Sequence, residues 1–173
     1  MGSGKTEICG MLGKDFGYSI ISTGRILAEL VGAPPVPKTA RKEFCDLAEK
    51  FISSPGGPDK LASTIYSIIS SQSEKPFAID GLRNVPTFDA LRKKLKGDLA
   101  LIYVDAMIDN AYGFLRKRES AKISLREFAE LVHHPVERGV EDFADPANIV
   151  VYNHGTKESY LQKVREFFTG ELT

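Results

Sequence analysis

The feature that most constrains the fold of this chain is the phosphate-loop pattern at its amino end. The complete pattern is a glycine, four residues and then Gly-Lys-Ser/Thr, and Gly4, Lys5 and Thr6 supply its last three positions. It predicts a helix that begins at Gly4, with backbone N–H groups and a positive dipole end that bind phosphate oxygens. In such a loop the lysine bridges the β- and γ-phosphates and the hydroxyl holds Mg²⁺, and we expect these roles for Lys5 and Thr6. Taken alone, these residues are equally compatible with an unstructured Gly/Ser start.

The opening glycine of this pattern would lie two residues before Met1, and the strand that feeds the loop would precede that glycine. Two explanations stay open: the start at Met1 is misplaced, or this is a phosphate-loop protein that has lost its first strand. We expect the misplaced start, because the missing strand normally lies between the strands predicted at 76–81 and 99–104. Its loss would leave unpaired backbone groups on both neighbours, and burying such groups is costly.

Composition and charge argue against several classes of protein. The 23 Lys and Arg residues equal the 23 Asp and Glu residues, so the formal net charge is zero, which argues against a large nucleic-acid footprint. No apolar run reaches the roughly 18 residues of a membrane span, and the Gly-rich start is unlike a signal peptide. Cys9 and Cys45 are too few for a disulfide framework. We therefore expect a cytoplasmic protein with two buried free thiols and neither a membrane nor a nucleic-acid partner.

The chain alternates short apolar runs with amphipathic helices. Strands are predicted at 17–22, 76–81, 99–104 and 148–153, and helices at 4–14, 24–31, 39–53, 59–71, 87–96 and 107–118, from 124, from 135 and at 156–168. With one strand restored before Met1, this order predicts an α/β protein with a five-stranded parallel sheet. Right-handed crossovers would place helices on both faces of that sheet.

Asp80 is a candidate metal-associated carboxylate because it follows a short apolar run. Ligands of parallel sheets gather at the carboxyl ends of the strands, so the position suits a group that helps to hold Mg²⁺. The alternative is that Asp80 and Gly81 only form a turn. Arg83 follows three residues later.

Two further polar clusters have two explanations each. Arg116, Lys117 and Arg118 end a predicted helix, where they would either bind phosphate or complement the helix dipole. His133 and His134 lie between two predicted helices. A zinc site needs more ligands than two adjacent side chains, so we expect these histidines to be turn residues.

Several short segments, taken in order, carry a resemblance to a known family. They are Gly2-Ser3-Gly4-Lys5-Thr6, Ile20-Ile21-Ser22-Thr23-Gly24, Gly57-Pro58-Asp59, Ala78-Ile79-Asp80-Gly81-Leu82-Arg83 and Asn153-His154-Gly155-Thr156. The first resembles the phosphate loop of P-loop kinases of the nucleoside-monophosphate-kinase branch. The second and fourth are similar to the Ile-Ser-Thr-Gly and Leu-Asp-Gly-Phe-Pro-Arg of adenylate kinases. Together with the other two, they resemble still more an uncharacterised archaeal kinase-like group related to dephospho-CoA kinases.

The resemblance covers essentially the whole chain and implies a three-layer P-loop NTPase fold. It implies an enzyme that uses ATP and Mg²⁺ to phosphorylate a nucleotide-like small molecule, of the nucleoside monophosphate or dephospho-CoA type. Residues 1–173 would form one domain, incomplete at its amino end, with acceptor-binding helices at about 24–73 and a short lid at about 114–124.

The resemblance also assigns roles to individual residues. The implied ATP-binding residues are Gly2, Ser3, Gly4, Lys5, Thr6 and Asn153, with Asn153 and its turn beside the adenine. The implied catalytic residues are Lys5, Asp80, Arg116 and Arg118; Thr6 and Asp80 would hold Mg²⁺; and Ser22, Thr23, Arg25 and Arg83 would contact the acceptor.

The chain also departs from this family. Arg25 stands where adenylate kinases usually have an acid, so we do not expect a pocket built for AMP. The proline of the adenylate kinase motif is missing before Arg83, and there is no long zinc-type lid. A nucleotide-binding regulatory or degenerate protein without turnover is therefore the main alternative, and a nucleic-acid-associated ATPase is a weaker one. The acceptor and the oligomeric state stay open.

Overall fold

The structure is a computed structural model that describes residues 2–33, 41–72, 75–119, 124–137 and 139–170, with the backbone alone described for residues 116–119. Its strands are β1 (Ser19–Ser22), β2 (Phe77–Asp80), β3 (Ile102–Ala106) and β4 (Ile149–Asn153). Its helices are α1 (Lys5–Phe16), α2 (Thr23–Leu30), α3 (Arg41–Ile52), α4 (Gly57–Ser71), α5 (Val85–Lys94), α6 (Ile108–Glu119), α7 (Leu125–Val132) and α8 (Lys157–Thr169), with 3₁₀ turns at Pro135–Glu137 and Glu141–Phe143.

The four strands form two separate parallel pairs. β1 pairs with β2, so that Ser22 lies opposite Asp80, and β3 pairs with β4, so that Ala106 lies opposite Asn153. Among the described residues no ladder joins β2 to β3. The predicted α/β class with parallel strands is confirmed, and the interruption lies where the absent strand was expected.

Helices cover both faces of the strand pairs. On one face, α1 and α8 pack against Val104 and Val151 in a cluster that also contacts Ala78. On the other face, helices α2 to α5 pack around Ile21, with Phe77 and Ile79 of β2 against the same cluster. Successive residues of β2 therefore point to opposite faces, as in any strand. The result is the three-layer arrangement that the alternating sequence predicts.

Two predicted elements differ most from the structure. β3 begins at Ile102 rather than at 99, because the N–H of Leu101 donates outside the ladder, to Asn148 Oδ1 (2.7 Å). The C=O of Leu101 accepts from the N–H groups of both Asn148 (2.8 Å) and Ile149 (3.3 Å). The helix predicted from Pro135 is a single 3₁₀ turn. Gly139, with a φ of 77°, leaves the helical region directly afterwards.

Local signals elsewhere are confirmed. Ser124 and Glu127 form the expected capping box at the start of α7. Cys9 and Cys45 are buried free thiols, as predicted. His133 caps α7, and His134 Nε2 lies 2.9 Å from Asp46 Oδ1, which ties this turn to α3. Within the described ranges no helix is long and apolar enough to cross a membrane.

Candidate phosphate-binding site

The amino end of α1 is shaped to receive an anion. Gly4 caps the helix in the left-handed region with a φ of 96°, and it brings no side chain to the N–H groups of the first turn. Those N–H groups and the positive end of the helix dipole stay available to phosphate oxygens. Lys5 lies beside them, and its Nζ donates to Ser3 Oγ at 2.9 Å.

Two glycines make this geometry possible. Gly2 has a φ of 69°, and a Cβ there would lie 2.4 Å from the carbonyl oxygen of Ala111. A Cβ on Gly4 would lie 2.8 Å from Asn153 Nδ2 and 3.0 Å from the hydroxyl of Tyr160. Any larger residue at either position meets both a steric clash and an unfavourable φ.

Asn153 supports the phosphate loop through a buried hydrogen bond. Its Nδ2 donates to the carbonyl oxygen of Ser3 at 3.0 Å, and the residue is only 1% exposed. The resemblance implied that Asn153 and its turn border the adenine. In the structure the side chain contacts the loop backbone and connects the end of β4 to the residues that would surround the phosphates, and the contact with adenine stays a prediction.

Thr6 and Asp80 meet although 74 residues separate them in the chain. The Thr6 hydroxyl donates to Asp80 Oδ2 at 3.3 Å, at the carboxyl end of β2. A hydroxyl and a carboxylate are hard oxygen donors of the kind that Mg²⁺ prefers, and Mg²⁺ usually takes only one or two protein side chains together with phosphate oxygens and waters. The pair therefore fits this ion. In the described part of the chain no group of three or more His, Cys, Asp or Glu side chains could hold a metal.

A cavity of about 910 Å³ extends from the loop across the carboxyl ends of β1 and β2 to α3. We call it the acceptor cavity. It is lined by the loop residues Gly2 to Thr6, by Asp80, and by all four residues predicted to contact the acceptor: Ser22, Thr23, Arg25 and Arg83. Its volume is within the usual range for small-molecule sites.

The four predicted acceptor residues differ in their surroundings. Ser22 is the N-cap of α2, and its Oγ accepts from the N–H of Arg25 at 3.4 Å. Thr23 is 2% exposed, and its Oγ1 has no hydrogen-bond partner among the described residues. Arg83 forms an ion pair with Glu137, whose side chain is 7% exposed. Arg25 is exposed at the edge of the cavity.

No protein-family model matches the chain, and no curated protein matches its sequence. A solved structure does match: shikimate kinase from Acinetobacter baumannii in complex with shikimate. The two structures align with a TM-score of 0.58 over 99% of this chain and 90% of that one, at 15% sequence identity. The chain shares the fold of this kinase. A match at this level of sequence identity shows only that the fold is shared. What the site can do chemically follows from its own residues.

Arg41 and Glu137 also belong to this site, and sequence analysis missed both. Arg41 begins α3 and lines the acceptor cavity. Burial raises the pKa of the Cys45 thiol, while the positive charges of Arg83 and Arg41 lower it, which puts both guanidinium groups near this thiol. Glu137 is 54 residues from Arg83, and no local pattern links two such positions.

The predicted lid is described only in part. Arg116 and Arg118 lie in the last turns of α6, but their side chains are outside the described part of the molecule, as are residues 120–123. Phe114 and Leu115 of the same helix line the acceptor cavity. The start of the predicted lid therefore borders the site.

Proposed function

We propose that this protein is a kinase that uses ATP and Mg²⁺ to phosphorylate a nucleotide-like small molecule, of the nucleoside monophosphate or dephospho-CoA type. One observation carries the proposal: a single cavity is lined at one end by the phosphate loop and at the other by arginines. A donor phosphate and an anionic acceptor would meet within it. The likeness to shikimate kinase supports the fold that such a reaction needs.

The donor side is formed by the loop. The backbone of Gly2 to Thr6 and the dipole of α1 would bind the phosphates of ATP, and Lys5 would stabilise charge on the transferred group. Thr6 and Asp80 would hold Mg²⁺, Asp80 in part through water. When bound, the ion neutralises charge that develops on the phosphate oxygens.

The acceptor side combines cations with an apolar wall. Arg25, Arg41 and Arg83 line the cavity, and a guanidinium group can bind a phosphate through two parallel hydrogen bonds. Glu137 holds Arg83 in place before any acceptor arrives. The wall between them includes Leu27, Phe44, Ala48, Ile52 and Leu61, which suits the flat or aliphatic part of a nucleotide-like molecule.

The catalytic work would then be positioning and electrostatics in a closed site. Arg116 and Arg118 would complete it from the lid, and an arginine of this kind contributes on the order of 10³–10⁵ in rate. In this proposal residues 1–173 act as one domain, with acceptor-binding helices at about 24–73 and the lid at about 114–124.

The test is ATP consumption with Mg²⁺ against a panel of nucleoside monophosphates, dephospho-CoA and shikimate. Lys5→Ala should lower kcat/KM on the order of 10²–10³-fold, as loss of a charge-stabilising group does. Lys14→Ala is the matched control, because Lys14 is an exposed lysine in the last turn of the same helix, and it should leave the rate unchanged. The proposal fails for this panel if no acceptor accelerates ATP consumption, or if Lys5→Ala and Lys14→Ala behave alike.

A nucleotide-binding regulatory or degenerate protein without turnover is the second candidate. The observation in its favour is a second cavity, of about 630 Å³, that opens between β2 and β3 directly behind Lys5 and Asp80. A loop with a cavity directly behind it would bind phosphate without the rigidity that catalysis needs. Saturable Mg²⁺-ATP binding that is lost in Lys5→Ala, together with no turnover across the panel, would favour this candidate.

A further inference from the structure

His134, which was predicted to be only a turn residue, makes a hydrogen bond with each of its ring nitrogens. Its Nε2 lies 2.9 Å from Asp46 Oδ1 of α3, and its Nδ1 accepts from the backbone N–H of Val136 at 3.2 Å. A neutral imidazole carries one proton. Because Nδ1 is an acceptor here, that proton belongs on Nε2, which therefore donates to Asp46. One tautomer and one ring orientation satisfy both nitrogens.

The same histidine also holds the short turn that follows it. In the 3₁₀ turn Pro135–Glu137 the N–H of Glu137 donates to the carbonyl oxygen of His134 at 2.8 Å. The bond from the Val136 N–H to the His134 ring reaches back two residues, as in the turns that Asn and Asp side chains form. Both the ring and the carbonyl group of His134 therefore fix the backbone of this turn.

The turn carries two residues that act on the acceptor cavity. Val136 is 8% exposed, packs in one core cluster with Cys45 and Ala48 of α3, and lines the cavity. Glu137 follows it and forms the ion pair with Arg83. A carboxylate this deeply buried is costly to leave unpaired. The position of the turn against α3 therefore determines where Glu137 can hold Arg83.

Arg83 is the end of this chain of contacts. It lies in the connection between β2 and α5, and its side chain lines the acceptor cavity. An arginine side chain has many rotamers, and ordering them opposes the binding of any ligand. An ion pair that forms beforehand lowers this cost. Residues that hold Glu137 in place can thus contribute to anion binding without touching the anion.

From these contacts we propose that His134 is a positioning residue of the acceptor site. It fixes the turn Pro135–Glu137 to Asp46 of α3. The fixed turn holds Glu137, and Glu137 directs Arg83 to the place where an anionic group of the acceptor would bind. This inference deepens the proposed function and rests on it for the role of Arg83.

The competing explanation is that the bond between His134 and Asp46 only stabilises the fold. The side chain of Asp46 is 62% exposed, and polar pairs with an exposed partner contribute little to global stability. Breaking the bond should therefore change the stability of the whole protein only slightly. A positioning role predicts a larger effect, confined to the end of the cavity where Arg83 lies.

The experiment measures the binding of inorganic phosphate at both ends of the acceptor cavity by NMR. The Nε–H signal of Arg83, identified by its loss in Arg83→Lys, reports on the acceptor end. The backbone N–H of Thr6 reports on the phosphate-loop end in the same titration. The exchange of the Arg83 Nε–H with water and the Tm of each variant are measured as well.

Three variants test the bond and a fourth is the control. His134→Asn keeps an acceptor for the backbone N–H two residues on but is too short to reach Asp46. Asp46→Ala removes the other partner, and the double variant removes both. His133→Asn is the matched control, because His133 is the exposed neighbour of His134.

His134→Asn and Asp46→Ala should each weaken phosphate binding at Arg83 by about three- to tenfold and speed the exchange of its Nε–H. The double variant should match the single ones, since the two substitutions remove the same bond. Binding at Thr6 should change by less than about twofold, and Tm should fall by less than about 3 °C. His133→Asn should change none of these quantities.

Four outcomes would overturn the inference. Unchanged binding at Arg83, or equal losses at Arg83 and Thr6, would show that the bond only stabilises the fold. Tighter binding in His134→Asn would mean that Glu137 competes with the anion for Arg83. No response of Arg83 to phosphate in the unchanged chain would show that this residue is not held ready for an anion.

Failure of the proposed function gives a different result. If the phosphate titrations come out as expected but no acceptor in the panel accelerates ATP consumption, the positioning role of His134 stands and the kinase assignment fails. If an acceptor is phosphorylated but His134→Asn and Asp46→Ala leave phosphate binding at Arg83 unchanged, the kinase assignment stands and the positioning role fails.

Discussion

The two cavities that meet at Lys5 and Asp80 are built from different chemistry. The acceptor cavity has arginines, a carboxylate and the N–H groups of a helix start around an apolar wall. The second cavity, which opens between β2 and β3 and which we call the inter-strand cleft, is apolar along most of its length, and its charged groups lie near its ends. The first suits a charged small molecule, whereas the second offers mostly apolar side chains. Lys5 and Asp80 line both cavities. We therefore expect a change in the packing of the inter-strand cleft to affect the phosphate-binding site.

The largest expected effect tests whether two successive turns on one face of α4 are equally well packed. Ile65 is fully buried in the core, so Ile65→Ala should lower the free energy of unfolding by about 2–5 kcal/mol. Ile69, one turn later, is partly exposed and lines the inter-strand cleft, so Ile69→Ala should cost about 1 kcal/mol or less. Urea denaturation of both variants measures the difference. Equal losses would mean that the cleft is packed as tightly as the core.

The next effect concerns the loop itself. Gly4→Ala should weaken Mg²⁺-ATP binding on the order of tenfold to a hundredfold, because the added Cβ meets Asn153 and Tyr160 at a strained φ. Gly10→Ala is the matched control in the same helix, where a Cβ has open space. It should keep the affinity and stabilise the protein by roughly 0.5–1 kcal/mol. Calorimetric titration would contradict the assignment if Gly4→Ala binds as tightly as Gly10→Ala.

A smaller effect distinguishes residues that hold the phosphate loop in place from residues that only stabilise the fold. Asn153→Ala removes a buried hydrogen bond to the Ser3 carbonyl and should cost about 1–3 kcal/mol of stability together with ATP affinity. Asn148→Ala removes a bond to Leu101, at the opposite end of the same strand pair. It should cost stability without changing affinity, measured below the unfolding transition. Equal affinity losses would mean that Asn153 acts only through global stability.

The smallest effect is the pH dependence of stability that comes from two buried thiols. Cys9 lines the inter-strand cleft and Cys45 lines the acceptor cavity. Burial, and then Asp80, raise the pKa of Cys9 from 9.0 to about 12, although Lys5 opposes the shift. The folded state therefore holds its proton more tightly than the unfolded state does. The stability from this thiol is complete below pH 9 and is lost as the pH rises toward 12, by up to about 1.4 kcal/mol per pH unit.

Cys9→Ala should remove most of this alkaline loss. Cys45→Ala should remove less, because Arg83 and Arg41 partly offset the effect of burial on that thiol. Denaturation midpoints at pH 8 and pH 10 measure the difference. A larger change in Cys45→Ala would show that the cleft-lining thiol is the less well shielded of the two.

Sequence analysis succeeded where the relevant signal is local. The loop pattern, the carboxylate after β2 and the capping box of α7 are encoded within a few residues each, and the structure forms the helix start, the strand end and the cap at those positions. Thr6 and Asp80 also come together as expected, since the ends of parallel strands gather at one side of a sheet.

Sequence analysis failed where a residue's contact partner is far away in the sequence. Glu137 and Arg41 join the site through tertiary packing, and neither lies in a recognisable pattern. β3 begins later than predicted because the side chain of Asn148, 47 residues away, accepts the backbone N–H of Leu101. The placement of Asn153 and its turn beside the adenine stays a prediction, whereas the bond from its amide to the Ser3 carbonyl, 150 residues away, is visible only in the structure. Periodicity carries no information about such pairs.

The bond between Asn153 and Ser3 has a consequence for the order of events during synthesis. It spans 150 residues, as do the ion pairs of Glu7 with Lys157 and of Asp15 with Arg165. At 5–20 residues per second, roughly 8–30 s pass on the ribosome between translation of the loop and translation of the residue that anchors it. Throughout that interval the nascent chain has the glycines that would surround a phosphate but not the amide that fixes them, so nucleotide can assist folding only at the very end. The loop is therefore anchored long after its own residues have been made.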